Sequence, residues 1–288
     1  MKKTILVPTD FSEKSEHTAE YAYLLAVKLQ ADLLFFNSYY IPQAELTGTG
    51  MAPPFFVDYD LFESISTDNL KKQIARLKDT MKAAGMTEGP AMRYTNGIGN
   101  LGQGIHQVLE KEEVALIVMG GKSSEALMHF FYGSDTAEVV RRASCPVLMI
   151  PAEADFRELK KIAFASDGFD ERVLKALHFL TELAAPFEAE IVVTHVSKAD
   201  TPAEQINQLL EEYYAAMSGI DYDKIAFTDV QGDDITKTLL KFTTSGQCDL
   251  IALVHKRHTL YEKVFDESIT KKVMGHHQIP YLVFPEDF

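Results

Sequence analysis

Cysteine is scarce in this chain: two among 288 residues, Cys145 and Cys248, each at a strand edge in a different half. Their spacing supplies neither a zinc ligand set nor a disulfide framework, and so little cysteine fits a reducing compartment, the cytoplasm. Long apolar runs are missing too. No stretch approaches the ~20 residues needed to cross a bilayer, and the opening MKKTILVPTDF meets Asp10 before a signal-peptide core can form. Positive charge is the third shortage. Lys and Arg number 28 against 42 Asp and Glu, a net charge of −14, with about −4 on residues 1–151 and about −10 on the rest. That field repels phosphate backbones, so no nucleic-acid partner is expected. Nor does the sequence offer a paired acid and base or an activated nucleophile at a recognisable spacing. The expectation is a binding protein, not an enzyme, with any turnover far below the usual ~1–10³ s⁻¹.

What the chain does have is itself, twice. Residues 116–151 align without a gap on 250–285, with identities at Lys122/Lys256, Ser134/Ser268, Pro146/Pro280 and Pro151/Pro285. KTILVPTDFSE likewise aligns with KKIAFASDGFD, setting Asp10 opposite Asp167, and ADLLFFNSYY aligns with AEIVVTHVSK. Two domains are expected, 1–152 and 158–288, each near the usual domain size. The join near Pro151–Glu158 is too short to be a free tether, so the halves should pack on each other.

Each copy alternates strand and helix. In the first, strands are expected at Ile5–Val7, Leu33–Asn37, Ala91–Thr95, Ala115–Met119 and Val147–Ile150. The strands are apolar without alternation, as in a sheet covered on both faces. Ala19, Ala22, Ala26 and Leu29 mark the buried stripe of a helix ending near Leu29. Leu70, Ile74, Leu77, Met81 and Ala84 mark a second that stops at Gly85. Leu101–Lys111 and Ser134–Ala143 are the remaining helices, and Arg141 and Arg142 suit the last dipole. Such alternation with right-handed crossovers means an α/β fold with a doubly wound parallel sheet in each half. The final strands, Val147–Ile150 and Tyr281–Phe284, are apolar edges closed by proline, and unpaired apolar edges invite association. They are expected to run side by side and antiparallel, making a pseudo-dimer within one chain.

In doubly wound sheets ligands sit beyond the strand carboxyl ends, where the strand order reverses. Asp10, Ser38 and Gly120 are expected at such ends. Gly120-x2-Ser123-x9-Gly133-Ser134 follows a strand and enters a helix N-terminus, a place suited to phosphate. Glycines there permit close approach of a ligand to the backbone. Ser134 caps the helix and can offer its hydroxyl to a phosphate oxygen, while Asp10 can accept from a ribose hydroxyl or an adenine amino group. The competing reading of Gly133-Ser134 is a plain capped helix start. The second copy carries Val254, Arg257 and Glu267 at the motif positions, so one site per chain is expected.

Val7-Pro8-Thr9-Asp10-Phe11-Ser12, Val118-Met119-Gly120, Gly133-Ser134 and Cys145-Pro146-Val147-Leu148 resemble the universal stress proteins (UspA-type), over nearly the whole chain twice. The resemblance implies two tandem five-stranded Rossmann-like domains, similar to adenine nucleotide alpha-hydrolases. It also implies a stress-response role and ATP or another adenine nucleotide as ligand. Carried over, Thr9, Asp10 and Ser38 would surround adenine and ribose. Met119 and Gly120 would line the ribose, and Ser123, Gly133, Ser134 and Asp135 would hold the phosphates. Two positions depart from the motif: Ser123 replaces its second glycine, and Asp135 would either repel a triphosphate or share Mg²⁺ with it. In the second half only Asp167 and His195-Val196 keep the pattern. The alternative function is a nucleotide-free scaffold that dimerises or binds a partner.

The remaining motifs read plainly. Gly120-Gly121-Lys122-Ser123 imitates a P-loop ending, but the first glycine of that motif would fall at Leu116, inside a strand. His255-Lys256-Arg257-His258 and His276-His277 lack supporting ligands and read as solvated loops. Ser166-Asp167-Gly168 reads as a strand-end turn. The aromatic stretch Tyr39–Asp58 is a lid over the ligand, a contact between chains, or a loop folded on its own domain.

Overall fold

The computed structural model describes residues 3–40, 59–120, 134–166, 168–233, 238–239, 241–242, 248–254, 279–286 and 288, without the side chains of 134–136. Ser123, Gly133, Asp167, most of the Tyr39–Asp58 loop and the His255–His277 region lie outside that description. The strands are β1 (Thr4–Pro8), β2 (Asp32–Tyr39), β3 (Met92–Ile98), β4 (Leu116–Gly120), β5 (Val147–Ile150), β6 (Lys161–Ala165), β7 (Glu190–Ser197), β8 (Ile225–Gln231), β9 (Leu250–Val254) and β10 (Tyr281–Phe284). Helices are α1 (Glu13–Leu29), α2 (Tyr59–Ala83), α3 (Leu101–Leu109), α4 (Ser134–Arg142), α5 (Glu171–Ala184) and α6 (Ala203–Met217).

All ten strands join one sheet in the order β3-β2-β1-β4-β5-β10-β9-β6-β7-β8. Every pairing within a half is parallel. The join is antiparallel, with Tyr281 opposite Met149, Leu282 opposite Leu148 and Val283 opposite Val147. The expected edge-to-edge pairing is therefore present.

Successive strand residues feed two cores, one on each face. Phe35, Phe164 and Phe284 belong to the core that also holds Leu25, Leu70 and Leu177 of the helices. Phe36, Ile117 and Val283 belong to the other, with Ile105 and Val140. Each core contains residues of both halves, so the apolar interior is continuous across the join. Phe284 adds ring contacts to Phe179 and Phe288, with centroids 5.7 and 5.1 Å apart. The connecting segment is docked as well: Tyr21 meets Phe156 edge-on at 5.1 Å, and His17 Nε2 lies 2.9 Å from the Ala154 carbonyl oxygen.

Three expectations shift. α2 begins at Tyr59, well before its apolar stripe, because its first turns face a polar strand end. Its stripe also closes at Met81, for Ala84 is exposed, and in α1 Leu29 is only partly buried while Tyr21, Tyr23 and Leu25 are buried. The stop at Gly85 is as expected. Its φ of 86° is left-handed, and the Met86 N–H reaches back to the Met81 carbonyl at 3.0 Å, a Schellman ending.

Amide hydrogen exchange checks the join. The amides of 147–150 and 281–284 should be among the slowest in the protein, slower than those of the outer strands β3 and β8. Exchange at those positions as fast as at 92–98 and 225–231 would contradict the pairing.

Candidate functional site

The β1–α1 corner is built by short polar side chains. The Thr9 N–H donates to the Phe36 carbonyl at 2.8 Å, and Asn37 Nδ2 donates to the Thr9 carbonyl at 2.8 Å. Asn37 is itself buried and accepts from Ser66 Oγ of α2 at 2.7 Å. Beyond Thr9, Phe11 takes a left-handed φ of 63°, and its N–H bonds to Thr9 Oγ1 at 3.1 Å. Ser12 then caps α1 by accepting from Ser15 N–H.

Asp10 binds this corner together with one carboxylate oxygen. Its Oδ1 accepts from Ser12 N–H at 3.0 Å, from Ser12 Oγ at 2.6 Å and from Ser15 Oγ. Partial burial pushes its pKa up, but the Ser12 and Ser15 hydroxyls and the Ser12 N–H together outweigh this and hold it below the ordinary 3.8. The second oxygen, Oδ2, takes no hydrogen bond among the described residues and stays open to solvent or a ligand.

The hydrogen-bonded ladder between β1 and β4 stops short beside it. β1 pairs with β4 in register only at Ile5–Leu116 and Leu6–Ile117, although β1 follows β2 out to Pro8–Phe36 and β4 follows β5 out to Gly120–Ile150. Pro8 is the cause. Thr9 N–H points to β2, so by strand alternation position 8 points to β4, where proline has no N–H to donate. In the second half Ala165 stands at this position and the matching β6–β9 ladder continues through Phe164–Ala252 and Ala165–Leu253. The hydrogen-bonded ladder at the switch point is interrupted in one half and continuous in the other.

The expected site residues fall around this interruption unequally. Thr9 is buried at the β1 end and Asp10 is exposed beyond it. Ser38 and Gly120 are not beyond their strands but within them, because β2 keeps its pairing with β3 through Tyr39–Ile98 and β4 with β5 through Gly120. The Met119 side chain is buried in the second core. At Gly120 an added Cβ would lie 2.7 Å from Thr18 Oγ1 of α1. Helix packing alone thus accounts for that glycine. Counted from the helix caps, Thr18 corresponds to Ala176 in α5, so the Gly120–Thr18 pair of the first half becomes Val254–Ala176 in the second. The main chain of Ser134 and Asp135 opens α4.

Sequence reasoning missed a polar cluster in the second half. His195 Nδ1 lies 2.8 Å from Asp229 Oδ1, and Ser197 Oγ donates to Asp229 Oδ2 at 2.7 Å. These residues are separated by more than thirty positions in sequence, and only the lone polar residues in apolar strands could have flagged them. The serine bonds the carboxylate and not the imidazole, so no nucleophile is activated. Both cysteines are buried, which pushes the Cys145 thiol up to about 12 and that of Cys248 to about 11; neither is a thiolate at neutral pH.

The two halves, residues 1–151 and 158–285, each match the model of the universal stress protein family. The chain belongs to that family. It is similar to the universal stress protein in QAH/OAS sulfhydrylase 3'region of Thermus aquaticus, 30% identical over 151 residues, 52% of this chain and 99% of the relative. A universal stress protein structure from Archaeoglobus fulgidus has a TM-score of 0.66 at 16% identity, covering 98% of each chain. A putative universal stress protein from Pseudomonas aeruginosa has 0.58 at 17%, covering 99% of this chain and 94% of that one. At these identities the structures speak to the fold, which is the tandem α/β architecture. No helix among the described residues is long and apolar enough to cross a membrane.

Two measurements test the corner. With its folded pKa lowered, ionised Asp10 contributes stability that is present above about pH 4 and is lost as pH falls through the folded value. Asp10→Asn should therefore destabilise the protein slightly in urea unfolding at pH 7, by less than about 1 kcal/mol because solvent screens this exposed group, and the difference from the parent should shrink as pH falls below about 4. Gly120→Val should destabilise by about 1–3 kcal/mol through overpacking. Adding Thr18→Ala should recover most of that, read as a favourable coupling in a double-mutant cycle.

Proposed function

We propose that this universal stress protein is a regulatory adenine-nucleotide-binding protein with one site, in its first half. The observation that carries this reading is the interrupted β1–β4 ladder at the switch point in strand order, since doubly wound sheets take ligands beyond the strand ends at such points. Thr9, Asp10 and Ser38 would face adenine and ribose, with Asp10 Oδ2 as acceptor. Met119 and Gly120 would contribute through the main chain, because the Met119 side chain is buried and the space at Gly120 is held by Thr18. Ser123, Gly133, Ser134 and Asp135 would receive the phosphates of ATP, with Mg²⁺ between them and Asp135.

The division into 1–152 and 158–288 then separates a ligand domain from a scaffold domain. In the second half the β6–β9 ladder is continuous, and Val254 and Glu267 stand where the motif has glycine. Binding and not turnover is the work this reading gives the site, and the cytoplasm is the compartment that suits the cysteine usage. A nucleotide-free scaffold is the second reading, favoured by the Thr18 packing that explains Gly120 without a ligand.

Calorimetry with ATP and Mg²⁺ should give one site per chain. Gly133→Glu should abolish it, and Pro8→Ala, which restores the missing donor and lets the ladder close, should weaken it about tenfold. Two sites per chain, or affinity untouched by both substitutions, would overturn the proposal.

A further inference from the structure

A second feature of the first half has no role in the nucleotide reading. α1 and α2 enclose a cleft of about 240 Å³ bordered by Glu16, Glu20, Gln73, Arg76, Asp79 and Thr80. It begins roughly 6 Å along α1 from the Ser12 cap, at 1.5 Å per residue, and runs away from the β1–β4 strand ends between the two helices. Gln73 lies in its wall only 3% exposed, and neither its Nε2 nor its Oε1 has a hydrogen-bond partner among the described residues. Leaving both ends of a buried amide unpaired is costly, and native structures seldom do so without a reason. Arg76 is already paired with Glu16 at 2.5 Å, whereas Glu20 and Asp79 have no ion pair among the described residues. The cleft therefore holds two free carboxylates and an occluded amide whose donor and acceptor ends are both unpaired and reach a ligand when the side chain turns outward. It is smaller than the ~300–1,000 Å³ of a usual small-molecule pocket, which suits a single side chain better than a cofactor. The net charge of −14 attracts cations to this surface.

We infer that the α1–α2 cleft binds an arginine side chain of a partner peptide, its guanidinium against Glu20 and Asp79 and its peptide group paired with the Gln73 amide. A planar guanidinium meets carboxylates with several donors at once, and an amide side chain complements a peptide group at both its ends.

N-acetyl-L-arginine methylamide is the probe, titrated into the full chain while backbone amide shifts are followed. Saturable binding should appear with shifts centred on 16–20 and 73–80, weaken as salt rises, and fall about tenfold in Gln73→Met. Because that substitution removes a buried unpaired amide, the variant should also melt at a higher temperature than the parent, so lost binding is not lost folding. Free L-arginine, whose carboxylate the acids repel, should bind more weakly, as should N-acetyl-L-glutamine methylamide. Lack of saturation, shifts centred elsewhere, equal binding by Gln73→Met, or tighter binding of free arginine would each overturn the inference. None of these outcomes depends on whether ATP binds at the β1–β4 switch point.

Discussion

Everything in this molecule is arranged around the antiparallel contact of β5 and β10. Each half alone would end its sheet on an apolar strand with unpaired N–H and C=O groups, an edge open to association. Pairing Val147–Met149 with Tyr281–Val283 satisfies those groups and merges the cores on both faces. The same contact fixes the places where the sheet can open. With the inner edges consumed, the switch points between β1 and β4 and between β6 and β9 are the natural crevices, one per half.

The two crevices have diverged through a few residues. Pro8 withholds a ladder donor and interrupts the first ladder, while Ala165 supplies it and the second runs on. Gly120 with Thr18 and Val254 with Ala176 are two ways of filling a similar helix–strand gap, so that exchange follows from packing. Asn37, roofed by Ser66 of the long α2, is replaced by His195 held by Asp229 of the neighbouring strand β8. Each exchange is structurally self-consistent, and the second half is accordingly well built without the glycines of the motif.

Much of this was legible in the sequence. Strands buried on both faces give continuous apolar runs, so their number and order of appearance are plain, and the proline-closed final strands point to the antiparallel join. The repeat itself shows two domains of one family. The start of α2 was hidden because Tyr59, Leu61 and Ile65 of its first turns are exposed and form no buried stripe. Ser38 and Gly120 were expected past their strands, since pairing with a neighbour, and not local composition, decides where a strand ends. The ligand role expected of Gly120 rested on its place at a strand end and in the loop motif; contact with Thr18 is a long-range fact. The same holds for the Asn37–Ser66 and His195–Asp229 bonds, whose partners are distant in the chain.

The central claim is that one half is open to a nucleotide and the other closed. An amide shift map of the full chain titrated with ATP and Mg²⁺ tests it most directly. The one-site reading predicts shifts at residues 9–12, 38, 119–120 and 133–135, with residues 165–170 and 250–254 unmoved. Equal shifts at the ends of β6 and β9, or none beside β1 and β4, would contradict it.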